Sequence, residues 1–103
     1  MLMLPIKKCW FDMIASGEKL EEYRDDTPYY ADRFSVSELL HEPLNVCFRN
    51  GYRADSPKIY CTVIPRRRFG AKPEWGGDPD KLCWVLQIIR RADSEAALEG
   101  GGG

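Results

Sequence analysis

Gly17-Glu18-Lys19-Leu20-Glu21-Glu22-Tyr23-Arg24 marks the point where a helix hands over to extended chain. Upstream, Trp10, Met13 and Ile14 stand at the i, i+3, i+4 spacing of an amphipathic helix, which predicts helix from Lys7 to Ser16. Gly17 closes it, because glycine enters the left-handed conformation without a Cβ penalty. Before the helix, Met1 to Ile6 is short and apolar, the pattern of a buried opening strand. After the glycine, Lys19 to Arg24 should run extended. Glu22 and Arg24, two residues apart, then project to the same side, where the carboxylate orients the guanidinium. Strict alternation would put Lys19 on the opposite face, so Lys19 must precede the regular strand or a bulge must intervene.

Working downstream, Thr27-Pro28 reads as an N-cap followed by proline at the first helical position and opens a short helix through Tyr29, Tyr30, Arg33 and Phe34. One more helical turn is expected around Ser37 to His41. From Leu44 the period changes to two, with Leu44, Val46 and Phe48 on one face of a strand. Asn50-Gly51 is a strong hairpin signal of the type I′ kind. The return strand is expected over Lys58 to Ile64, ended by Pro65, with Arg66 to Phe69 as a further strand. Gly70 to Lys81, holding Pro73, Gly76, Gly77 and Pro79, reads as a long loop of the sort that carries function. Leu82 to Ile89 is almost continuously apolar and is expected to be a central strand buried on both faces. Residues 1–92 form the predicted domain; 93–103 form a tail, with a short helix over Ala92 to Leu98 and disorder over Gly100 to Gly103. The fold class is therefore α+β, a small barrel or curved mixed sheet with two or three short helices packed at one side.

The chain has 103 residues, 44% hydrophobic and 30% charged, enough for one core and too short for two. No apolar run approaches the roughly 20 residues needed to cross a bilayer, and the lysines of the opening MLMLPIKK follow its apolar residues, the reverse of a secretory leader. A cytoplasmic protein with no membrane partner is expected. Cys9, Cys47, Cys61 and Cys83 form no paired-cysteine motif, so no metal site and no cofactor is indicated, and they are expected to be reduced and mostly buried. The net charge of −1 is unevenly spread. Leu44 to Lys72 holds seven basic residues against one acid, while the flanking segments are acidic. A polyanion docking on the middle is one reading; a strand edge guarded by Arg66 to Arg68 against aggregation is the other.

The residues Gly17, Lys19, Glu22 and Arg24 fit the pattern GxKxxExR after a short amphipathic helix, and in this the chain resembles the ASCH domains of the PUA-like superfamily over roughly Met3 to Arg91. The resemblance implies a PUA-like β-barrel with a cleft facing the motif, and RNA binding or RNA-related chemistry. Some proteins of that kind hydrolyse amide-modified pyrimidine nucleosides with the motif lysine, a threonine three residues later and a distant glutamate. Here the position three residues after Lys19 is Glu22, so the hydroxyl nucleophile is missing. A nuclease-like role would use Lys19 on the phosphorane, with Glu22 or Glu74 as base.

The expected function is a module that binds RNA, a nucleoside or a nucleotide. Lys19, Arg24 and Arg49 would meet phosphate or base edges, Glu22 would hold Arg24, and Tyr52 or Trp75 would stack on a base. Lys19 is expected to present a mobile ammonium, and Trp75 to sit on a mobile loop as platform or lid, or else to anchor that loop to the core. Trp10 and Trp84 are assigned to the core, and His41 to the surface. The alternatives are a hydrolase working through Lys19 and Glu22, and a protein-interaction adaptor using exposed Tyr29 and Tyr30.

Overall fold

A computed structural model describes residues 1–100 of the chain. The elements follow in the order β1 (Leu2–Ile6), α1 (Lys8–Ser16), β2 (Glu21–Asp25), α2 (Pro28–Leu40), β3 (Leu44–Asn50), β4 (Lys58–Arg68), a single 3₁₀ turn over Pro73–Trp75, β5 (Cys83–Ala92) and α3 (Glu95–Gly100). The five strands form one curled mixed sheet, a half-barrel, in the order β1-β3-β4-β5-β2. The β1–β3 pair is parallel and the other three are antiparallel. The α+β curved-sheet architecture is thus the one the patterning predicts. Both edge strands, β1 and β2, come from the first quarter of the chain.

Periodicity explains most of these elements. Gly17 ends α1 at φ 86°, and its N–H returns to the Ile14 carbonyl. Thr27 caps α2 by accepting the Tyr30 N–H on its hydroxyl, with Pro28 at the first helical position. Ile14 and Phe11 of α1 and Phe34 of α2 are buried against Leu4, Val46, Phe48, Trp84 and Leu86 of the sheet. At 25 cal/mol per Å² or so, burying each such large side chain contributes roughly 1.5–3 kcal/mol, which outweighs the weak intrinsic helicity of these short segments. Strand β5 is buried on both faces over Cys83–Leu86: Trp84 and Leu86 face the main core, while Cys83 and Val85 pack with Ala71 and Tyr23. Beyond Leu86 only Ile88 of this strand is buried, and Gln87 and Ile89 to Arg91 are exposed, so the expected two-sided burial does not reach Ile89.

Several expectations are corrected. Helix α2 runs unbroken to Leu40, so the expected extra turn is its continuation; His41 ends it in the left-handed region at φ 54°. Asn50-Gly51 is no two-residue hairpin. Asn50 donates its N–H to the Pro57 carbonyl, and residues 51–57 form the connection, with positive φ at Gly51 alone. Pro65 does not end the return strand, and Arg66–Arg68 continue it. Strand β3 stops opposite Val63, so beyond that point β4 has a sheet neighbour on one side only, where a residue lacking an N–H is tolerated. There α2 covers the open side, and Glu38 accepts the Arg67 N–H at 2.6 Å. Helix α3 buries Leu98, which joins the predicted tail to the domain as far as the structure describes it. The disorder expected of the terminal glycines falls, at 101–103, outside the described residues.

The basic middle is neutralised in part: Arg53, Arg67 and Arg68 have carboxylate partners, whereas Arg49, Lys58, Arg66 and Lys72 have none among the described residues. Arg67 pairs with Asp26 at 2.8 Å and Arg68 with Glu21 at 2.9 Å, both acids belonging to the flank that precedes it in sequence. These partners leave Arg66 as the member of the run without an ion pair among the described residues. No described helix is long and apolar enough to cross a membrane, and no described group of three or more His, Cys, Asp or Glu gathers as a metal ligand set.

All four cysteines are free and, as expected, most are buried: Cys47, Cys61 and Cys83 lie inside, and Cys9 is exposed on α1. Burial pushes the Cys61 thiol up to about 12 and raises those of Cys47 and Cys83. A group whose folded pKa lies above its unfolded value contributes stability that is complete below the unfolded value, 9.0 for a thiol, and lost as pH rises toward the folded one. Tyr23, also raised by burial, acts in the same sense, and Lys19, lowered by burial, in the opposite one. The urea midpoint should therefore fall from pH 9 upward, and Cys61→Val should flatten that fall. A midpoint level between pH 8 and 11 contradicts the account.

Candidate functional site

The site is built where the two ends of the curled sheet face each other. Beyond Gly17, the Lys19 N–H returns to the Met13 carbonyl, and the Leu20 carbonyl accepts the Ile88 N–H. Lys19 therefore lies in the connection, before β2 begins at Glu21, and strand alternation does not bind it. Its side chain turns inward and is completely buried. The ammonium donates to the Trp75 carbonyl, stands 3.3 Å from Glu22 Oε1, and lies between two rings, 5.1 Å from the Trp10 centroid and 5.0 Å from that of Tyr23. This is an enclosed cation rather than the mobile ammonium expected. Burial lowers its pKa, and the Glu22 carboxylate works against that shift.

Glu22 is itself buried, and its second oxygen accepts from Arg24 Nη2 at 2.9 Å. That guanidinium nitrogen also donates to the Pro5 carbonyl of β1 at 2.9 Å, while Nη1 donates to the Tyr30 hydroxyl of α2 at 3.2 Å. Arg24 thus joins β2, β1 and α2, and ties the two edge strands that the sheet leaves unpaired. Its Nε–H is buried without a partner among the described groups. The three charged residues of the motif converge as a chain, Lys19–Glu22–Arg24, in which only Arg24 and Glu22 reach the surface of a cavity.

That cavity is an open cleft of about 500 Å³ over the seam between β1 and β2. Its lining comes from Pro5–Lys8, Trp10, Glu22–Asp25, Tyr30 and Asn50–Tyr52. Tyr52 stands at the rim with 85% of its surface exposed, and Tyr30 stacks parallel on Phe34 of the core, which holds its ring in place. At one end lies the N-terminus of α1, with Lys7 and Lys8 beside it; no side chain caps this helix and its first turn holds no acid. Lys8 pairs with Asp12 within the helix, and Lys7 has no ion pair among the described residues.

Arg49 and Trp75 stand outside the lining. Arg49 donates through Nε to the Gly51 carbonyl at 3.1 Å and so shapes the loop that carries Tyr52. Trp75 contributes its backbone carbonyl to Lys19, while its ring lies under the Lys72 ammonium at 4.8 Å. The segment behind it is pinned: Gly76, at φ 87°, approaches Trp10 so closely that a Cβ there would sit 2.9 Å from the indole. The loop is a fixed cover over Lys19. Glu74, the other base candidate, is exposed on that cover, and His41 is exposed as expected.

Trp10, assigned to the core by its spacing, is half-buried and forms one wall of both the lysine enclosure and the cleft. Pro5, Tyr30 and Lys7 were not legible as site residues. The one local signal for Lys7 is its position at a helix start that lacks any capping side chain. Trp84 is a core residue, as expected.

No protein-family model, curated protein or solved structure matches this chain. The site is therefore read from its own geometry.

Proposed function

We propose that the chain is an ASCH-like, PUA-like domain whose cleft binds a nucleotide, free or as part of a single-stranded RNA. The observation that carries this reading is the cleft's division of labour: the partly exposed Arg24 guanidinium on its floor, tyrosine rings on its walls, and an uncapped helix N-terminus with Lys7 at one end. A base would stack on Tyr52 or Tyr30 and offer an acceptor to Arg24. The phosphate would lie over the first turn of α1, where free N–H groups and the helix dipole favour an anion. Lys19 supports this indirectly. By holding one oxygen of Glu22 it leaves the other for Arg24, so the ammonium acts through the carboxylate rather than on the ligand. With Lys19 enclosed, the hydrolase alternative has less support than binding.

Calorimetric titration with 5′-mononucleotides and a short single-stranded RNA, at two salt concentrations, tests the proposal. Affinity should fall with salt, as phosphate binding requires. Tyr52→Ala should weaken binding about tenfold, within the roughly 1–3 kcal/mol of one base stacked on an aromatic ring. It should leave the urea midpoint unchanged, because the side chain is mostly in solvent. Absence of binding by every nucleotide and the RNA, or binding indifferent to both salt and Tyr52→Ala, removes the reading.

A further inference from the structure

Arg24 and Tyr30, which both line the cleft, meet there as hydrogen-bond donors. Arg24 Nη2 uses both its hydrogens, on the Pro5 carbonyl and on Glu22 Oε2, while Nη1 gives one hydrogen to the Tyr30 hydroxyl at 3.2 Å. The second Nη1 hydrogen has no acceptor among the described residues. Because the Tyr30 oxygen accepts from Arg24, its own O–H proton is directed elsewhere, and no described group accepts it. Tyr30 presents this hydroxyl rather than a ring face, since its ring lies parallel to Phe34 with centroids 5.7 Å apart and meets Tyr29 edge-on at 5.0 Å. The acceptors beside these donors are taken: Glu22 Oε1 stands 3.3 Å from the Lys19 ammonium, and Oε2 holds Arg24. Of the other polar groups in the lining, Asp25 is exposed and pairs with Lys81 at 3.1 Å, and the Asn50 carboxamide carries donor and acceptor together, which favours neither kind of base edge.

We propose that the cleft selects bases that carry a keto group where adenine and cytosine carry an amine, guanine ahead of uracil. This rests on the nucleotide reading above and adds the identity of the base to it. Arg24 and Tyr30 set two free donors side by side, on atoms 3.2 Å apart. Guanine answers them with two neighbouring acceptors, O6 and N7, and uracil with O4; adenine sets its N6 amine beside N7, and cytosine presents the N4 amine. An amine turned toward Arg24 and Tyr30 meets donors with donors and leaves them unpaired out of water, which is how a site built to hydrogen-bond one ligand rejects its analogue. Glu22 does not relieve the mismatch, because Lys19 and Arg24 hold its two oxygens.

Calorimetric titration of the full chain with the 5′-monophosphates of inosine and adenosine tests this. Their bases differ in carrying a keto group or an amine at the 6-position, and neither has the 2-amino group of guanine. Inosine monophosphate should bind about tenfold more tightly, within the range for one well-matched base edge, and guanosine monophosphate should bind like it. In Tyr30→Phe the preference should shrink through loss of inosine monophosphate affinity, with adenosine monophosphate affinity retained; a merely structural role for the hydroxyl would weaken both alike. The urea midpoint verifies that the variant folds, and if it does not, the wild-type comparison decides by itself. Equal affinity for the two nucleotides in the wild type, or an unchanged preference in folded Tyr30→Phe, overturns the inference and leaves the nucleotide reading standing. Binding of none of the nucleotides removes both.

Discussion

Lys19→Ala should lower the unfolding free energy by about 3–5 kcal/mol, the range for removing one partner from a buried ion pair. Three losses act together. The Trp75 carbonyl loses its donor, the space between Trp10 and Tyr23 is left empty, and Glu22 keeps only Arg24 as a counter-charge. Lys19→Met fills much of the same volume and should lose less, which separates the packing contribution from the electrostatic one. Urea unfolding of both variants provides the measurement. A Lys19→Ala protein within about 1 kcal/mol of wild type, the ordinary cost of an exposed substitution, means that the ammonium is not enclosed as described.

The second large effect is expected at Arg24. Its guanidinium spans the Pro5 carbonyl, the Glu22 carboxylate and the Tyr30 hydroxyl, so Arg24→Ala unties β1 from β2 and leaves Glu22 with Lys19 alone. The expected cost is about 3 kcal/mol, again that of breaking a buried charged network. Arg24→Lys should recover little of it, because a compact ammonium cannot reproduce a planar fork reaching three acceptors on three elements. Amide hydrogen exchange should quicken at the two edge strands in both variants, more than in β4, which lies inside the sheet. Nucleotide binding should vanish in Arg24→Ala. Unchanged exchange in β1 would show that the seam is held by something else.

These two residues also mark what could and could not be read without coordinates. Glu22 and Arg24 lie two apart in extended chain, and their pairing follows from strand alternation. The closure at Gly17 and the cap at Thr27 follow equally from local chemistry, as does the apolar run of β5. The Lys19–Trp75 contact joins residues 56 apart, and Arg24–Pro5 joins strands at opposite ends of the sheet order. Nothing local encodes either. The basic run at Arg66–Arg68 misleads for the same reason, since its neutralising acids lie more than 40 positions away. Asn50-Gly51 misleads differently: its turn preference is strong but local, and the pairing of β3 with β4, which sets Arg49 opposite Lys58, overrides it.

From its amino acids alone this protein owes the close of α1, the start of α2, its strand periods and the Glu22–Arg24 pair, because capping, glycine conformations and alternation act over a few residues. The curl of the sheet decided the rest: that Lys19 is sealed beneath the Pro73–Trp75 turn, that Trp10 becomes a wall, and that a cleft opens over β1 and β2. Those outcomes depend on which distant segments the closing sheet brings together, and burial in that assembly, not local preference, sets which charges face a ligand.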